Sequence, residues 1–183
     1  MKTLLLGDSI LRFIPQDIIG EVTNQSRVGQ YTWMLERDVP TFNIETFDKV
    51  FVLIGINDFL NRDYTAQKTG DCIINVVDSV LAQKPQDLTV LGLLPVLEDT
   101  LEESDYCNKN IPLINAIVKG YCDEHSIKYL PSWQPNALWR LLTCNWLVFS
   151  RWLMNFTVLP SLRQTMVMQT RCMNWIRRLA LPR

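Results

Sequence analysis

At 183 residues, 48% of them apolar and 20% charged, the chain can bury one sizeable core, and nothing between its ends resembles a linker or a low-complexity segment. The formal net charge of −1 hides a sharp division: residues 1–124 hold all 19 acidic residues and 10 basic ones, net −9, whereas residues 125–183 hold 8 basic residues, no acidic residue and no glycine, net +8. Five cysteines (Cys72, Cys107, Cys122, Cys144 and Cys172), odd in number and without a Cys-x-x-Cys pair, exclude a zinc site or disulfide framework as the organising device and are expected to be buried thiols.

The first element is "KTLLLG" (2–7), an apolar run ending at Gly7-Asp8-Ser9. It is too short for a secretory leader or a membrane span, so a cytoplasmic protein is expected. A weaker extended piece follows at "EVTNQ" (21–25), then a helix over "QYTWMLERD" (30–38) that Gly29 would open. "KVFVLIG" (49–55), "LTVLGLL" (88–94) and "SIKYL" (126–130) read as three further strands. Helices are expected over 66–84, where Ile73, Val76, Val77, Val80 and Leu81 recur at helical spacing, and over 107–125. Continuous apolar strands alternating with helices imply parallel strands covered on both faces, in a doubly wound α/β sandwich. Ligands of such sheets collect at the carboxyl ends of the strands, near the switch in strand order.

Three of those ends carry chemistry-bearing residues. The first delivers Ser9, the loop after the second delivers Gly29, and "GINDF" after the third delivers Asn57. Taken singly, Ser9 reads as a helix N-cap, Gly29 as a hinge and Asn57 as an Asx-turn residue. Taken together, a serine hydroxyl on a strand-to-helix turn, two backbone N–H groups and a side-chain amide are what attack on an acyl carbon and stabilisation of the resulting oxyanion require.

In "GDSI" (7–10), Gly29 and "GIND" (55–58) the chain resembles the SGNH, or GDSL-type, ester hydrolases, in order and in spacing, with Ile10 where the family usually has Leu. The resemblance runs over about residues 1–133 and implies a flavodoxin-like, three-layer α/β/α sandwich with a parallel sheet. It further implies Ser9 as the nucleophile, with the Ser9 N–H, the Gly29 N–H and the Asn57 amide holding the oxyanion. A small acyl ester is the implied substrate, and no cofactor, metal or nucleic acid is expected.

The family's Asp-x-x-His block, source of the base, has no counterpart. The one histidine, His125, lies in "CDEHSIKYL" between a helix and a strand, where parallel topology puts it at the opposite edge of the sheet from Ser9, and its spacing to Asp123 is Asp-x-His. It is expected to be a solvated structural residue.

The genetic code connects this absence with the unusual tail, expected over 135–183 beside an α/β domain over 1–134. Reading from the third base of each codon across Trp152 to Thr157 permits Asp-Glu-Leu-His, and further on that frame forces glycine and acidic residues back into the sequence. A shifted frame after about Gln134 is therefore one account of the tail. The others are an interfacial or partner-binding cationic helix and an ordinary cover helix. "LLTCNWLVFSRWLMNFTVLPSL" (141–162) is apolar, but Arg151 interrupts it and Asn145 and Asn155 flank the interruption, so no membrane span is expected. Its apolar side chains would favour self-association.

Two function classes follow: a serine ester hydrolase, impaired for want of its base, or a non-catalytic flavodoxin-like module binding an anion or a partner. "GDSILR" lacks the glycine density or lysine of a phosphate loop, which weighs against the second.

Overall fold

The computed structural model describes residues 1–13, 21–60, 64–95 and 104–131. Each of the five runs expected to be extended forms a strand: β1 (Lys2–Gly7), β2 (Glu21–Asn24), β3 (Lys49–Leu53), β4 (Leu88–Leu91) and β5 (Lys128–Leu130). They form one sheet in the order β2-β1-β3-β4-β5, with every pair parallel. This is the flavodoxin-like order, and its switch point lies between β1 and β3.

β3 and β4 end before their apolar runs do. Ile54 and Leu93, just past the ladders, are 2% exposed, so apolarity there reflects burial of the loops and not strand pairing. In β1 residues of both parities are buried, from Thr3 through Leu6, as expected for a central parallel strand covered on both faces. The edge strands β2 and β5 are only half-buried.

Helices α2 (Thr32–Asp38), α4 (Ala66–Ala82) and α5 (Ser104–Glu124) match the three expected from periodicity. In α4, Thr65 is the N-cap and accepts from the Lys68 N–H, and Ile73, Val76, Val77 and Val80 form the buried stripe. α2 and α5 both pack on α4, and right-handed crossovers put all three on one face of the sheet. Two short helices, α1 (Ser9–Arg12) and α3 (Ile56–Leu60), were not expected, because four or five residues are too few to show a period.

Of the cysteines, Cys107 and Cys122 are buried thiols as expected; Cys72 is only half-buried. Cys144, Cys172 and the tail expected over 135–183, with its frame, membrane and self-association readings, lie outside the described residues. Among the described residues no helix is long and apolar enough to cross a membrane, and no group of three His, Cys, Asp or Glu could hold a metal ion.

Candidate active site

The first of the three loops is fixed by close backbone approach. A Cβ on Gly7 would lie 2.0 Å from the Leu53 carbonyl oxygen, so only glycine lets β1 end this near β3. Asp8, fully buried, then turns the chain: its N–H donates to Leu53 O at 3.3 Å and its Oδ1 accepts from the Ile10 N–H at 2.9 Å. Asp8 is therefore the N-cap of α1, and the N-cap reading of Ser9 is corrected. Ser9 is the first residue of the helix, half-buried, and its hydroxyl is not spent on capping. Among the described residues no hydrogen bond uses the Ser9 hydroxyl or N–H.

The loop after β2 is bound to the first. Asn24 Nδ2 donates to Leu11 O at 2.8 Å and the Arg27 N–H donates to Gly7 O at 3.0 Å. Gln30, 2% exposed, folds its side chain back so that Oε1 also accepts from the Arg27 N–H, at 3.1 Å. Between Arg27 and Gln30 stands Gly29, in the left-handed region at φ +69°. It does not open the helix directly; α2 begins at Thr32, after an extended Tyr31. Within the described residues the Gly29 N–H has no hydrogen-bond partner.

The third loop closes on the second. Gly55, at φ +121°, turns the chain out of β3, and a Cβ there would meet Ile73 at 2.6 Å. Asn57 lies in the first turn of α3 and makes no Asx turn; its Nδ2 donates to Gln30 O at 2.9 Å, one residue from Gly29. A carboxamide has two N–H donors, so this bond leaves the second one to another acceptor. Next to it Asp58, fully buried, accepts from Thr32 Oγ1 at 2.6 Å and from the Thr32 N–H at 2.9 Å.

Two buried carboxyls thus lie beneath the loops. Burial pushes Asp8 up to about 7, with the charge of Asp58 adding to the rise and the Ile10 N–H opposing it. Burial also raises Asp58, against the stabilising hydroxyl and N–H of Thr32. Asp8 and Asp58 stand inside the motifs "GDSI" and "GIND" but carry no role in the sequence reading, and Gln30 carries no sequence signal for its folded-back, buried side chain.

His125 is elsewhere. It follows α5 and precedes β5, which puts it at the amino edge of the parallel sheet, whereas Ser9 follows the carboxyl end of β1. Its ring is exposed, stacks on Tyr121 with centroids 4.0 Å apart, and its Nδ1 lies 2.9 Å from Tyr121 O. Its exposure and its distance from the carboxyl edge agree with the position that parallel topology predicts for it.

No family profile and no curated protein matches the sequence. Solved structures do match in fold. A GDSL-like lipase from Bacteroides thetaiotaomicron superposes with a TM-score of 0.63 at 18% identity, over 73% of this chain and 69% of that one. A Streptococcus pneumonia protein named for platelet activating factor gives 0.57 at 25% identity, over 70% and 64%. A carbohydrate acetylesterase from Sinorhizobium meliloti gives 0.56 at 13% identity, over 71% and 83%. The chain therefore spans about two thirds of the length of the first two. It shares the α/β fold of GDSL-type lipases and acetylesterases, as the motifs led one to expect.

Proposed function

We propose that this protein is a serine ester hydrolase of the GDSL type, in which Ser9 attacks a small acyl ester and the Ser9 N–H, the Gly29 N–H and the Asn57 amide hold the oxyanion. The observation that carries the reading is the adjacency of the three loops at the switch point: Arg27 is bonded to Gly7, and Asn57 to Gln30 beside Gly29. A serine released from capping by Asp8 is the group such a site needs. The ester then passes to an acyl-serine with loss of the alcohol, and water releases the acid. A proton must leave the Ser9 hydroxyl during attack, and the sequence's one histidine lies at the other edge of the sheet, so turnover is expected to be impaired. The alternative, a non-catalytic module that binds an anion or a partner, would use the same N–H donors, and dependence of turnover on the Ser9 hydroxyl separates the two readings.

The test is hydrolysis of p-nitrophenyl acetate by the purified chain, alone and with imidazole as an external base, with Ser9→Ala in the same buffers as the blank. The expected result is slow, Ser9-dependent turnover that imidazole increases. Equal rates in the wild type and Ser9→Ala, with and without imidazole, would remove the serine mechanism.

A further inference from the structure

The bonds of Asn57 and Asp58 go to two ends of one short segment. Asn57 Nδ2 reaches Gln30 O, and the Asp58 carboxylate reaches the hydroxyl and N–H of Thr32, two residues on. A donor therefore grips the segment just before the helix, and an acceptor grips its first helical residue. The Thr32 N–H is one of the four donors that a helix start leaves without an internal partner, and Tyr31, the N-cap residue, makes no side-chain capping bond. Asp58, from the first turn of α3, supplies the missing cap. Charge-assisted bonds of this kind are the stronger ones, and here they lie out of water on a fully buried carboxyl.

We propose that Asp58 is a positioning residue for the Asn57 amide: by capping α2 through Thr32 it locks the loop after β3 onto the loop after β2, so that one Asn57 N–H is held on Gln30 O and the other faces the site. This rests on the proposed role of Asn57 as an oxyanion donor. The clamp also sets the register of Gly29, because Gly29 precedes the bonded segment directly.

The experiment uses the full chain in three forms: wild type, Thr32→Val, which removes the hydroxyl but keeps the N–H, and Thr32→Ser, which restores the hydroxyl. Nitrogen-15 NMR reads hydrogen exchange of the Asn57 side-chain amide and of the Thr32 backbone N–H. The imidazole-supported ester hydrolysis is measured in parallel as kcat and KM. In Thr32→Val, exchange at Asn57 is expected to rise about tenfold, as loss of one charge-assisted bond implies. Amides of β1 and β3 should stay protected, kcat should fall with KM little changed, and Thr32→Ser should return both readouts to wild type. Unchanged exchange at Asn57 in a folded Thr32→Val protein, or failure of Thr32→Ser to restore it, would overturn the clamp. Hydrolysis that never depends on Ser9 would overturn the catalytic reading instead, and the exchange measurement would still decide the clamp.

Discussion

At the scale of single residues, the candidate site is built on groups that are costly to place. Asp8 is fully buried and its carboxyl is pushed up to about 7 from an ordinary 3.8. Between those two values the native state holds a proton that the unfolded chain releases. Stability from this group is therefore complete below about 3.8 and is lost as pH rises to about 7, by roughly 4 kcal/mol in all. Asp8→Asn keeps an oxygen for the Ile10 N–H and cannot ionise. Chemical denaturation at several pH values between 4 and 8 should show this fall in the wild type and a flatter profile in the variant; equal slopes in the two would contradict it. Gly55 gives a second prediction. A φ of +121° strains any L side chain, and an added Cβ would lie 2.6 Å from Ile73 Cδ1, so the isoleucine would have to shift as well. Gly55→Ala should cost about 2 kcal/mol or more in urea denaturation, since strain and overpacking add. A loss below about 0.5 kcal/mol, the size of an ordinary surface change, would mean that the loop after β3 relaxes freely.

At the scale of elements, the readable features were those with a period. The five strands and the helices α2, α4 and α5 stand where apolar runs and helical spacing put them, because burial on both faces of a parallel sheet and on one stripe of a helix writes itself into the sequence. α1 and α3 escaped for the same reason, as did the bonds that tie loops together. Nothing in the sequence marks Thr32 as the partner of Asp58, because the two are 26 residues apart and the link is one carboxylate on one helix start. Asn115 is a comparable case on α5. Its Oδ1 accepts from the Leu93 N–H at 2.8 Å and its Nδ2 donates to Leu93 O at 3.0 Å, which ties the segment after β4 to the helix. Leu93 itself is 2% exposed, so neither of its backbone groups has ready access to water. Asn115→Ala should destabilise by about 2 kcal/mol, within the range for leaving buried polar groups unpaired. Native-state exchange at the Leu93 N–H should rise along with the loss of stability; an amide that stays as protected as in the wild type would show that it has another acceptor.

At the scale of the molecule, the two edges of one sheet separate what the reaction would need together. Ser9, Gly29 and Asn57 belong to the carboxyl edge, and His125 to the amino edge, stacked on Tyr121. This separation was legible because a parallel sheet gives every residue between a helix and its following strand the same address. Ser9, Gly29 and Asn57 were legible as a candidate site only as a set, since each alone has an ordinary structural reading. The last prediction joins the fold to the sequence of the tail. If the frame after about Gln134 is shifted, the 183-residue chain should hydrolyse short activated esters at rates roughly six orders of magnitude below those of a version with the alternative frame restored, as loss of the histidine of a catalytic triad implies. Where the codons across residues 152–157 spell the permitted Asp-Glu-Leu-His in the restored frame, activity should vanish with Ser9→Ala and with replacement of that histidine. His125→Ala should leave both versions as they were. Turnover of p-nitrophenyl acetate by the two purified proteins checks this, together with sequencing of the gene through the codons for Trp133 to Asn155. A restored protein no faster than the chain as it stands, or robust activity of the present chain that disappears with His125→Ala, would reject the shifted-frame account.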